Sequence, residues 1–153
     1  MSRGVQVFGL FLVACGSVLA VGQSEGVKEY ACRYEARSGS GEATLEIKDG
    51  VVRSVHFTGF SPGLPGNIGY TCTVDATRGD KETKWKETGR TLRIDFVDGT
   101  NNDEEDYLTI APTADGYLLD MSATRSGSKC GAGAELPKQI RILKAAKRCR
   151  VKL

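Results

Sequence analysis

A single histidine and a single tryptophan stand in a chain of 153 residues, and none of its five cysteines is spaced as Cys-x-x-Cys. Zinc centres draw on Cys and His clustered at short spacing, so this chain has almost no ligands to offer one. The same scarcity limits catalysis. A Ser-His-Asp set would have to be built around His56, and no serine carries the glycine frame of a nucleophile elbow. Alternation places His56 on the face of Ser54 and Thr58, where it reads as a surface residue. Asp and Glu are plentiful, but nothing marks two of them as the paired carboxylates of glycoside chemistry. The expectation is a protein that is not an enzyme and holds neither metal nor cofactor. Excess charge of one sign is missing too: 21 Lys and Arg face 19 Asp and Glu. That balance excludes the global field of a nucleic-acid binder. Charge is segregated only locally, in an acidic run at Asp103-Glu104-Glu105-Asp106 and a basic C-terminus of Lys138, Arg141, Lys144, Lys147, Arg148, Arg150 and Lys152. Both read as solvated surface.

Long apolar runs are absent except at the start. Arg3 precedes Val7-Phe8-Gly9-Leu10-Phe11-Leu12-Val13-Ala14, and Val18-Leu19-Ala20 offers a small-x-small cleavage site. This run is too short and Gly-rich for a permanent span and reads as an export signal over residues 1–20. The mature chain, 21–153, is then periplasmic or secreted. Leu12-Val13-Ala14-Cys15-Gly16 also resembles the bacterial lipobox, which would lipidate Cys15 and supply the only membrane attachment. The apolar stretch Ser17-Val18-Leu19-Ala20-Val21 is unlike a lipoprotein tether, and both readings stay open.

Either route removes Cys15 and leaves Cys32, Cys72, Cys130 and Cys149, an even number that reads as two disulfides in an exported domain. Shorter loops favour Cys130 with Cys149 and Cys32 with Cys72. About 130 residues remain without a linker, enough for one domain with a real core. Their dominant period is two. Tyr30, Cys32, Tyr34 and Ala36 alternate with polar neighbours, as do Ala43, Leu45 and Ile47, and Asp49-Gly50 then signals a type I′ hairpin into Val51–Phe57. Asp98-Gly99 and Asp115-Gly116 repeat the turn signal. Further strands are read at Tyr70–Ala76, near Trp85, at Thr91–Val97, Tyr107–Ala111, Tyr117–Thr124, Gln139–Leu143 and Cys149–Leu153. No segment gives a convincing amphipathic helix; Leu136–Ala146 comes nearest, and Ile140 and Ile142 suit a strand. The fold class is all-β, an antiparallel β-sandwich or small β-barrel of about eight strands with two disulfides.

Three short motifs are absorbed by this frame. Asp98, Thr100 and Asn102 lack the sixth-position glycine of a calcium loop. Arg78-Gly79-Asp80 spells an adhesion tripeptide but reads as a turn. Lys84-Trp85-Lys86 reads as a strand carrying an apolar anchor. Two loops remain as candidate partner surfaces. Gly59 to Tyr70 combines prolines and glycines with apolar Phe60, Leu64 and Ile68, which either fold back over one end of the barrel or form a preformed contact for a partner, and Ser126-Gly127-Ser128-Lys129 precedes Cys130, whose bridge would stiffen it.

An exported, disulfide-bonded β domain with a lipobox-like segment and Ser126-Gly127 in a loop resembles the bacterial periplasmic and membrane-bound lysozyme inhibitors. That family inserts a Ser-Gly-x-x-Tyr or similar loop into the enzyme's cleft. Here Lys129 or Cys130 stands near the tyrosine's place. The resemblance implies a protein-binding domain that inhibits a cell-wall hydrolase by loop insertion through Ser126 and Gly127; the reading of the two loops adds Ser128, Lys129, Phe60, Leu64 and Ile68 as partner-binding residues, with the Lys129 ammonium entering a carboxylate-lined cleft. The alternatives are an immunity protein against a periplasmic toxin and a module for an envelope ligand.

Overall fold

A computed structural model describes residues 26–36, 39–61, 69–97, 106–131 and 134–153. The export signal, Cys15, Leu64, Ile68, the Asp98-Gly99 turn and the acids 103–105 lie outside the described residues. Ten strands are found among the described residues, in two antiparallel sheets. The first sheet is a meander of β1 (Lys28–Ala36), β2 (Gly39–Lys48), β3 (Val51–Ser61) and β4 (Tyr70–Thr77). The second has the order β10-β9-β8-β7-β6-β5. Its strands are β5 (Thr83–Thr88), β6 (Thr91–Phe96), β7 (Tyr107–Pro112), β8 (Gly116–Asp120), β9 (Gln139–Leu143) and β10 (Arg150–Lys152). The sheets do not join into a closed barrel among the described residues. Each instead buries one face.

The period-two pattern explains the packing directly. Ala43, Leu45, Val55, Phe57, Val74 and Ala76 point from the first sheet into the same buried cluster that Ile94, Leu108, Ile110, Leu119, Ile140 and Ile142 enter from the second. Alternate residues face water. Burying a large aliphatic or aromatic side chain of this kind stabilises the fold by about 1.5–3 kcal/mol. The Asp49-Gly50 turn takes the left-handed conformation at both residues, φ 53° and 76°, as a two-residue hairpin of this type requires. Arg53 is the bulged residue between the pairs Glu46–Ser54 and Ile47–Val52.

Each disulfide fastens one edge of the first sheet to the rest of the fold. Cys32 of β1 pairs with Cys149, beside the bridge between Arg33 and Arg148, and Cys72 of β4 pairs with Cys130. The pairing expected from loop length is therefore corrected. Cys32 and Cys72 sit on β1 and β4, with two strands between them, so about 14 Å of sheet at 4.8 Å per strand divides residues whose Cα atoms must approach within 7 Å. Topology overrides loop entropy.

Four local expectations also change. Asp115-Gly116 is not a type I′ turn: Gly116 opens β8 with no positive φ, and a Cβ there would lie 1.9 Å from the Ile142 carbonyl oxygen. Its glycine serves a close backbone approach. The strand read as Tyr117–Thr124 ends at Asp120, and the next stretch supports a single helical turn, α1 (Ser126–Lys129), where only irregular loop was expected. Gly59-Phe60-Ser61, read as loop, continues β3, with Gly59 and Phe60 paired on both sides and Ser61 with β4. Asp106 is buried rather than part of a solvated acidic surface.

The readings of Arg78-Gly79-Asp80 and Lys84-Trp85-Lys86 agree with the structure, while Asp98, Thr100 and Asn102 lie outside the described residues. Gly79 takes a positive φ in its turn, while Arg78 is held by the Val52 carbonyl oxygen, by Glu87 at 2.9 Å and over the Trp85 ring at 4.9 Å. Trp85 packs against the core and donates its Nε1–H to Thr83.

Candidate functional site

The connections are unequal. At one end of the sandwich they are tight: residues 48–51 and 88–91 are short hairpin turns. The opposite end carries the long connections, from β3 to β4, from β6 to β7, and from β8 through α1 to β9. Long connections on a rigid scaffold are where binding surfaces are usually built. This end also brings together the two segments singled out from sequence.

Cys130 follows α1 and its bridge to Cys72 seats the helical turn on β4. Cys72 is in turn the cross-strand partner of Gly59, the residue before Phe60. The Gly131 amide donates to the Thr71 carbonyl, and a Cβ on Gly131 would meet the Tyr70 ring at 2.7 Å. Phe60 is 49% exposed, and its ring lies over Gly69, where a Cβ would meet it at 2.3 Å. One side of the ring thus rests on Gly69 while the residue stays half exposed. Leu64 and Ile68, expected beside it, lie outside the described residues.

Within α1 the side chains divide by role. Ser126 Oγ accepts the Leu136 amide at 3.4 Å, and Ser128 Oγ donates to the Arg125 carbonyl. Lys129 turns inward. Its ammonium lies 4.1 Å from the Phe96 ring centroid and 3.9 Å from the Asp106 carboxylate, and its side chain is only 18% exposed. Asp106 also accepts the Arg125 amide at 2.9 Å. Lys129 is therefore a strut between the turn and the second sheet, and what the turn presents to solvent is Gly127 and Ser128.

Beneath this end a cavity of about 210 Å³ opens between the sheets, lined by Tyr34, Phe57, Leu136, Leu153, Glu135 and Lys138. Tyr34 and Phe57 lie parallel, 6.4 Å apart, in space that Gly41 and Gly59 leave open; a Cβ on either glycine would strike these rings at under 3 Å. Burial raises the Tyr34 phenol above its ordinary pKa. It is held as the neutral phenol.

His56 stands on the outer face of the first sheet, as alternation required. Its Nδ1 bonds the Asp75 carboxylate and its Nε2 lies 3.0 Å from Thr58 Oγ1. The order Thr58–His56–Asp75 is that of a nucleophile, a base and an orienting acid. β3 is paired on both sides here, so its amides serve the ladders and none is turned outward to hold an oxyanion. The arrangement was missed in the sequence because Asp75 is 19 residues from His56 and meets it only through the β3–β4 register. Among the described residues no cluster of His, Cys, Asp and Glu could hold a metal ion. No family model, curated protein or solved structure matches this chain.

Proposed function

We propose that the protein is an exported, protein-binding domain that inhibits a cell-wall hydrolase, presenting the long-loop end to the enzyme and placing the Gly127-Ser128 turn in its cleft. The observation that carries this reading is the disulfide-seated turn. Cys72–Cys130, the Ser126–Leu136 bond and the inward Lys129 fix α1 from three sides, while Gly127 and Ser128 stay exposed. A turn fixed before binding loses little conformational entropy in the complex. Inhibition in this arrangement comes from excluding substrate. The cation of Lys129 is spent inside the fold, so neutralising the enzyme's carboxylates is no part of it.

Gly127 gives a clean test. A Cβ at this position meets nothing within 4 Å, and its φ is not positive, so Gly127→Glu leaves the fold intact. The wild-type mature domain should inhibit a muramidase of the cell envelope, measured by the clearing rate of a peptidoglycan suspension, and Gly127→Glu should raise the inhibition constant at least tenfold. Equal inhibition by both proteins would remove the turn from the contact. No inhibition of any of a panel of envelope muramidases by the wild type would overturn the reading, and protection from a periplasmic toxin would then favour an immunity role.

A further inference from the structure

The outer face of the first sheet carries a second surface that the loop-end contact does not use. Three register rows cross it: Glu35, Ser40, Phe60 and Thr71; then Arg33, Glu42, Thr58 and Thr73; then Thr44, His56 and Asp75. The first row, Arg33, Glu42 and Thr58 of the second, and His56 line an open groove of about 510 Å³. Phe60 is flanked across both neighbouring strands by hydroxyls, from Ser40 and from Thr71. One side of its ring lies against Gly69. An exposed aromatic plate backed by a glycine and set amid hydroxyls and carboxylates is a platform.

The polar groups are pre-set as well. Asp75 holds His56, which holds Thr58, and Arg33 Nε pairs with Glu42 at 2.6 Å. Donors and acceptors thus lie side by side around an apolar plate.

We propose that this groove binds a glycan, with one pyranose ring stacked on Phe60 and its hydroxyls bonded by Thr58, Glu42, Ser40 and Thr71. A pyranose combines a flat apolar C–H face with equatorial hydroxyls that both donate and accept, the pairing this surface offers. Other ligand classes fit less well. The groove is too open and too polar for an acyl chain, and one cation against two carboxylates among Arg33, Glu35 and Glu42 disfavours an anionic polymer. The absence of outward amides along β3 argues against reading Thr58–His56–Asp75 as a hydrolytic set and for its use as a fixed hydrogen-bonding array. In combination with the loop-end contact, the groove would hold the domain on the polymer that its target enzyme degrades.

The test titrates the mature domain with N-acetylglucosamine hexasaccharide and, separately, with glucose hexasaccharide, recording amide chemical shifts. Binding of either, with shifts centred on Ser40, Thr58, Phe60 and Thr71, supports the proposal, and the preferred sugar distinguishes an amino-sugar polymer from a plain glucan. Phe60→Ala should weaken binding at least tenfold. Thr58→Val, which keeps the shape and removes the hydroxyl, should weaken it about threefold, so the outcome does not depend on how well the alanine variant folds. Gly127→Glu should bind sugar as the wild type does, which separates this site from the inhibitory turn. Absence of binding to both hexasaccharides, shifts confined to another face, or wild-type affinity in Phe60→Ala and Thr58→Val would overturn it.

Discussion

Removing the Cys72–Cys130 bridge tests the architecture and the site at once. The bridge closes a ring of 58 residues, and loop-closure entropy assigns such a ring about 4 kcal/mol at 25 °C. Cys32–Cys149 closes a ring of 117 residues and, alone, would be worth about 5 kcal/mol. The smaller ring lies inside the larger one, so an unfolded chain that keeps Cys32–Cys149 is already restrained, and Cys72→Ala/Cys130→Ala should cost about 3 kcal/mol. Set against a total stability of about 5–15 kcal/mol, that loss leaves the fold standing in most of this range. Guanidinium unfolding of the double variant, followed by tryptophan fluorescence, should show a lowered midpoint with a changed slope, because the unfolded state expands. Amide exchange should quicken at Cys130 and Gly131, whose N–H groups bond Ser126 and Thr71, more than at Ile94 or Ile140 in the core. A loss under about 1 kcal/mol, or a non-reduced peptide map linking Cys32 to Cys72, would refute the reasoning.

Other perturbations separate packing from charge. Gly116→Ala should destabilise by about 1–3 kcal/mol in thermal unfolding, since its Cβ meets the backbone of Ile142, which has no rotamer to yield. Leu45→Ala, at a fully buried position, should cost about 2–5 kcal/mol in the same assay. Burial pushes the Asp95 carboxyl up, but hydrogen bonds and charges from Lys86 and Arg93 outweigh it and hold its pKa below the ordinary value. A depressed carboxylate contributes stability above its unfolded pKa and loses it as pH falls through the folded one, so Asp95→Asn should be less stable than wild type at pH 7. The gap should close below about pH 4; a gap unchanged down to pH 2 would assign the loss to packing instead.

The strands were legible because period two is a local property. Tyr30 to Ala36, Ala43 to Ile47 and Ile140 to Ile142 announce their buried faces without reference to any partner. Pairings between distant residues were not. Cys32 meets Cys149 across 117 residues because β1 is an edge strand that the segment before β10 reaches. Loop length measures only the entropy of closing a ring, and here sheet order decides which cysteines can approach. Glycine misled in the same way. Gly59 reads as a loop breaker, yet in the strand its missing side chain admits the rings of Tyr34 and Phe57, and Gly116 admits a backbone. A glycine in sequence reports that something needs room without saying whether it is a turn or a neighbour.

The site shows the same division between local and distant information. Ser126 to Lys129 stood out because small polar residues beside a cysteine mark a stiffened turn, and the structure seats that turn on β4 through Cys72. The direction of Lys129 could not be read, since Phe96 and Asp106 draw it inward from 33 and 23 positions away. A lysine on a surface turn costs little to leave in water, so its burial here identifies a structural use, consistent with the ion pair and ring contact both pointing to the second sheet. Removing those contacts by Lys129→Ala should therefore lower the unfolding midpoint and loosen α1, whereas Gly127→Glu should leave the midpoint unchanged and act only on partner binding. If Lys129→Ala instead abolished inhibition with stability and α1 exchange unchanged, the ammonium would have to reach the partner, and the division of roles within the turn would be wrong.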